Sequence, residues 1–206
     1  EQHRELYKVI CEQGELAASV SGKMLFAAGG ALDFPAVGDW VMIDRTDGAG
    51  GSAVISRILT RKSVFVRKAA GTSPAAQIVA ANIDTVFICM SLNDDFNLRR
   101  LERYLSVAWD SMAAPVISQR LAETASVSAG ADVIVCSSME ENGYESVGAH
   151  IKKGKTIAFI GSSGVGKSTL INRLMGRDVL ATKEIRQDDG KGRHATTHRQ
   201  LLLLPG

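Results

Sequence analysis

The chain has 206 residues, 45% apolar and 22% charged, with a net charge of +2, which is enough to build a core in one or two domains. No run of about 18 uncharged apolar residues occurs, so a membrane-spanning helix is not expected. The polar start Glu1-Gln2-His3-Arg4-Glu5 has no signal-peptide core, and Cys11, Cys89 and Cys136 lie too far apart for a C-x-x-C metal site or an even disulfide set, which fits a reducing cytoplasm.

Residues 1–67 read as all-β. Glu5 to Ile10, Glu15 to Val20, Lys23 to Ala27, Val37 to Asp44 and Ala53 to Leu59 are short candidate strands separated by glycine turns. Five such strands in so short a segment predict a small barrel, with a five-stranded oligonucleotide-binding barrel (OB-fold) as the leading form. Arg57, Arg61, Lys62, Arg67 and Lys68 cluster at its end around Phe65 and offer a basic face for nucleic acid. Trp40 and Phe65 are read first as core residues.

Residues 68–76, with Gly71, Thr72, Ser73 and Pro74, read as an interdomain linker. From residue 77 the pattern becomes alternating β and α. Ile83 to Met90 is an apolar strand covered on both faces. Asn97 is a candidate N-cap, and Leu98, Leu101, Leu105, Ala108 and Trp109 give the helix after it an apolar face. Pro115-Val116-Ile117 and Ala131 to Cys136 are further strands, and Tyr144 to His150 a short helix.

Thr156 to Ile160 is the next apolar strand. It leads into Gly161-Ser162-Ser163-Gly164-Val165-Gly166-Lys167-Ser168 and then Thr169, which fits G-x-x-x-x-G-K-[ST] at every constrained position. Glycines allow positive φ, successive N–H groups form an anion nest, and the following helix adds its positive dipole end. Lys167 reaches the β- and γ-phosphates of a nucleoside triphosphate, and Ser168 ligands Mg²⁺. Between Lys152 and Arg199 eleven Lys and Arg stand against four Asp and Glu, leaving +7, more than the phosphates need and suited to a polyanion.

The loop comes late. Only 38 residues follow Ser168, too few to complete a sheet, so the β-α units before it are expected in the same domain, with the strand order circularly permuted. A P-loop ATPase or kinase with an added β-domain is the alternative at this point.

Four stretches together span nearly the whole chain: Pro35 to Val41, Ala80 to Val86, Gly161 to Thr169, and Gly192-Arg193-His194-Ala195-Thr196-Thr197-His198. In these the chain resembles the circularly permuted ribosome-biogenesis GTPases of bacteria, the RsgA family. The resemblance implies an OB-fold barrel over 1–67 and a permuted α/β P-loop GTPase domain over 77–206. It implies Mg²⁺-dependent hydrolysis of GTP to GDP, stimulated by the small (30S) ribosomal subunit and its 16S rRNA during late maturation, by a cytoplasmic monomer. It assigns Ser137 and Ser138 to reading the guanine. Thr196 becomes the switch threonine on Mg²⁺, although the residues alone leave Thr196 and Thr197 open. His194, in a polar glycine-rich stretch, becomes the residue that positions the attacking water. The family's Asn-Lys-x-Asp and Asp-x-Pro-Gly motifs occur nowhere in the 206 residues, and the ligands of its zinc-binding domain are absent from them.

Overall fold

The computed structural model describes residues 6–47, 51–68, 76–90, 97–111, 114–118, 131–137, 140, 142–182 and 200–205. It divides into two compact units, Glu1–Lys62 with Val66–Ala81, and Ser63–Phe65 with Asn82–Gly206.

The first unit holds β1 (Tyr7–Cys11), β2 (Gly14–Val20), α1 (Gly22–Ala27), a 3-10 turn (Ala31–Asp33), β3 (Val41–Ile43) and β4 (Ala53–Ile58). Its sheet runs β1-β2-β4-β3, with β2 parallel to β4 and the outer pairs antiparallel. Ala18, Ala53 and Ile55 are fully buried, with Val9, Leu16, Met24 and Val41 packed on them. Closure into a barrel is not among the pairings of the described residues.

The strand expected at Lys23 to Ala27 is a helix. Ser21 takes an extended N-cap conformation, and its hydroxyl accepts the Met24 N–H at 3.2 Å. Six residues are too few for periodicity to separate helix from strand, and the cap decides. Trp40, expected in the core, is 68% exposed, whereas Phe65 is buried as expected.

The stretch Pro35 to Val41 is built as a clamp. Gly38 has φ +89°, and a Cβ there would run into the Ala81 carbonyl oxygen. Asp39 sits below it with a side chain 1% exposed. Arg61 grips that carboxylate bidentately, Nε to Oδ1 at 2.8 Å and Nη2 to Oδ2 at 2.7 Å. Its remaining N–H groups reach the carbonyls of Leu32 and Phe34 at 2.8 and 2.9 Å. Arg61, counted above in a basic face for nucleic acid, is therefore occupied inside its own unit. β5 (Val64–Lys68) and β6 (Ala76–Ala81) pair as a two-stranded ribbon. The predicted linker falls between them, and residues 69–75 of it lie outside the described residues.

The second unit carries β7 (Thr85–Cys89), α2 (Leu98–Asp110), β8 (Ala114–Ser118), β9 (Asp132–Val133), α3 (Glu145–Gly148), β10 (Ile157–Gly161) and α4 (Lys167–Met175). All four strands are parallel, in the order β10-β7-β8-β9. The loop-bearing strand β10 thus pairs with β7, and the strands that precede the loop do share its sheet. Val86, Phe87, Ile88 and Cys89 are all buried, as a parallel strand covered on both faces requires. Phe87 stacks on Phe159 with centroids 5.0 Å apart, beside Ile134 and Val147. At the other end of β7, the Asp84 carboxylate accepts the Thr156 N–H at 2.8 Å and so ties β7 to β10.

α2 begins where expected: Asn97 is its N-cap and its side chain accepts the Arg100 N–H at 3.0 Å. Leu101, Leu105 and Ala108 face the core, but Trp109, read as part of the apolar face, is 48% exposed. The strand expected over Ala131 to Cys136 shortens to Asp132–Val133. No helix among the described residues is long and apolar enough to cross a membrane.

Candidate functional site

Three strands end level. Gly161 of β10 lies in register with Cys89 of β7, which lies in register with Ser118 of β8. The carboxyl edge of a parallel sheet is where loops can build a ligand crevice. Gly161 must be glycine there: its φ is +148°, and a Cβ would strike the Cys89 carbonyl oxygen. The loop leaves β10 through this close approach.

Two further glycines turn the chain. Gly164 has φ +81° and Gly166 φ +87°, the left-handed region that only glycine enters without cost. Gly166 is the N-cap of α4, so Lys167 and Ser168 open the helix at the end of the loop, and its positive dipole end lies there. At its other end Gly176, φ +65°, closes α4 with an N–H to the Arg173 carbonyl at 3.1 Å. Buried Asn172 then fixes the next stretch. Its amide donates to Leu180 O at 2.8 Å, and its oxygen accepts the N–H groups of Val179 and Leu180 at 3.1 and 2.9 Å.

Lys167 folds back on the loop. Its ammonium donates to the Gly161 carbonyl at 3.0 Å and to the Ser162 carbonyl. Among the described residues no carboxylate pairs with it. Burial holds its pKa below the ordinary lysine value, with Cys89 pulling the other way. Cys89 beneath it is pushed up to about 12, mainly by burial, and stays a neutral thiol. Among the described residues this desolvated cation has only neutral carbonyls for partners, in a glycine loop at a helix N-terminus, an arrangement that suits an anion. The glycines, the lysine and the hydroxyl of Ser168 present here are residues of the kind that the triphosphate and Mg²⁺ implied by the loop pattern require. A cavity of about 70 Å³ lies behind the loop, shared by Val165, Gly166 and Lys167 with Cys89 and Cys136.

Ser137 follows β9, and its N–H donates to the Gly143 carbonyl at 2.7 Å. A Cβ on Gly143 would strike the Ser137 oxygen, so this turn is held tightly. Its neighbour Cys136 lines the cavity behind the loop, which brings the Ser137 turn and the phosphate loop into one region of the unit. Ser138, His194 and Thr196 lie outside the described residues. Sequence reasoning missed Arg100, whose Nη1 donates to Ser162 Oγ at 2.5 Å. The signal was present: the Asn97 cap places Arg100 in the first turn of a helix that follows the same sheet edge.

Residues 58–206 match the family model described as RsgA GTPase. A small ribosomal subunit biogenesis GTPase RsgA 2 from Lactiplantibacillus plantarum is 51% identical over 215 residues, covering 99% of this chain and 60% of that protein. The corresponding proteins of Opitutus terrae and Methanosarcina acetivorans are 39% and 40% identical, over 100% and 99% of this chain and 61% and 57% of their own lengths. The chain thus spans about 60% of the curated relatives it matches. Among solved structures, YjeQ from Thermotoga maritima aligns with a TM-score of 0.64 at 23% identity, over 97% of this chain and 67% of that one. YloQ, described as a circularly permuted GTPase, aligns with a TM-score of 0.55 at 19% identity, over 85% and 62%. At those identities the two structures speak for the fold, a permuted P-loop GTPase fold.

Proposed function

The chain belongs to the RsgA GTPase family, and we propose that it is a Mg²⁺-dependent GTPase acting as a switch in late maturation of the small (30S) ribosomal subunit. The observation that carries this reading is Lys167: a desolvated ammonium with no carboxylate partner among the described residues, at the mouth of a loop whose glycines and helix N-terminus suit phosphate.

In this reading the loop's N–H groups and Lys167 hold the β- and γ-phosphates and offset the charge that develops during in-line attack by water. Ser168 and Thr196 would hold Mg²⁺, which would supply positive charge to offset that of the phosphates. His194 orients the attacking water. Ser137 and Ser138 contact the guanine. The first compact unit forms an OB-type module that contacts 16S rRNA, and the second is the GTPase domain of a cytoplasmic monomer. The parallel sheet with its loop-bearing strand beside β7 supports the permuted domain. The exposed Trp40 and Phe26, together with Lys23 and Arg57, which line one cavity of the first unit, support a nucleic-acid face there.

Turnover of GTP and of ATP, each with and without purified small ribosomal subunits, tests the reading. The expected result is GTP hydrolysis that rises when subunits are added, with ATP a poor substrate. Equal use of ATP, or a GTPase rate indifferent to the subunits, would overturn it.

A further inference from the structure

We infer that Arg100 is a positioning residue for the phosphate loop and acts through Ser162. The inference rests on the nucleotide-binding reading above and adds a residue outside the loop to it.

Ser162 is held from two sides. Its carbonyl accepts from the Lys167 ammonium, and its hydroxyl accepts from Arg100 Nη1 at 2.5 Å across 62 residues of sequence. Arg100 has little freedom of its own. It lies in the first turn of α2, its N–H is tied to the Asn97 side chain at 3.0 Å, and Leu101 beside it is fully buried. α2 follows β7, and β7 ends in register with Gly161, so the guanidinium reaches the loop from a fixed part of the same sheet. The planar guanidinium is suited to such a role, because its donors are preset in direction.

The consequence concerns the moment an anion arrives. Lys167 rests two of its three N–H donors on the Gly161 and Ser162 carbonyls, and as it swings toward a phosphate it gives up part of that hold. Without a second anchor, Ser162 would relax as Lys167 leaves, and the loop would have to be ordered again around the ligand. With the Arg100 bond in place the first half of the loop keeps its shape while the lysine changes partners. That is preorganisation, and it strengthens the binding of any ligand that uses the loop, diphosphate and triphosphate alike.

The test measures the affinity of the full chain for Mg²⁺-GDP and for a non-hydrolysable Mg²⁺-GTP analogue, with steady-state GTP turnover alongside. R100A and S162A should each weaken both nucleotides by a similar factor, about ten-fold, the range for a hydrogen bond to a charged group. The double variant should lose no more than either single one. S162T, which keeps the hydroxyl, should bind like the parent. KM should rise with kcat little changed, a split that loss of folded protein would not produce. Multiplying losses in the double variant, a loss confined to the triphosphate analogue, or unchanged affinities would overturn the inference. Should R100A fail to fold, S162A against S162T decides alone: equal affinities overturn it. A parent chain that binds the nucleotides while these variants match it sinks the Arg100 role and leaves the loop assignment standing. A parent that binds neither nucleotide sinks both.

Discussion

Two glycine-containing stretches, one in each unit, set a basic side chain against a close backbone approach, and they use it in opposite ways. In the first unit Gly38 passes against the Ala81 carbonyl, and Arg61 is consumed by the buried Asp39. In the second Gly161 passes against the Cys89 carbonyl, and among the described residues Lys167 finds only the carbonyls of its own loop. The first cation is balanced within the fold, and its pKa is raised above the ordinary arginine value chiefly by the hydrogen bond to Asp39. The second has no counter-charge among the described residues, and burial lowers its pKa. A cation with its counter-ion built in holds a structure together, and one without it awaits an anion from outside.

Removing each cation should break that comparison in opposite directions. The largest effect is expected at Lys167. Lys167→Ala should cut nucleotide turnover by on the order of a hundred- to a thousand-fold, the cost of deleting one preset charge-stabilising donor. The nucleotide-free protein should hold its melting temperature or gain, because an unpaired, desolvated charge is gone. Arg61→Ala should do the reverse. It leaves the buried Asp39 carboxylate without its counter-ion and with the Ala36 N–H, at 2.8 Å, as its remaining partner, which costs about 3–5 kcal/mol in urea unfolding. A stable Arg61→Ala protein, or an unstable Lys167→Ala one, would show that the two cations do not differ as described.

The same contrast explains what could be read in the sequence. The phosphate loop was legible because its chemistry is local: three glycines, a lysine and a serine at fixed spacing need little from the rest of the chain. The Asn97 cap and the buried face of α2 were legible for the same reason. The Asp39–Arg61 clamp was not, because its partners lie 22 residues apart and nothing in a cluster of basic residues marks the one that turns inward. Trp40 was misread because a lone tryptophan in an apolar strand is usually buried, and only the strand's neighbours decide. Lys23 to Ala27 was misread because the Ser21 cap outweighed a pattern too short to have a period. Arg100 escaped because its target lies 62 residues away.

A smaller effect should appear at Asn172, which holds the chain after α4 much as Asp39 holds the turn at Gly38. Asn172→Ala strands the N–H groups of Val179 and Leu180. It should cost about 1–3 kcal/mol in urea unfolding, the penalty of unsatisfied partly buried donors. Because Asn172 lies in the second turn of α4, away from the loop that precedes the helix, nucleotide affinity should fall less than stability does. Equal or greater loss of affinity would mean that Asn172 shapes the loop itself.

The smallest effect sharpens the electrostatic half of the comparison. Cys89 sits under Lys167 with its pKa moved from 9.0 to about 12, chiefly by burial. Unfolding returns the thiol to its ordinary range. Between pH 9.0 and about 12 the unfolded chain therefore binds fewer protons than the folded one, and stability falls as pH rises through that window. At pH 10 the loss from this group is roughly 1 kcal/mol. Lys167 works the other way, since a lowered lysine pKa means the folded state sheds its proton first and gains with rising pH. The two groups partly offset in the parent, so the thiol is isolated by difference. The gap in urea stability between the parent and Cys89→Ala should shrink from pH 8 to pH 10, because only the parent carries the thiol. A gap that stays constant would mean that Cys89 is less deeply desolvated than its place beneath Lys167 requires.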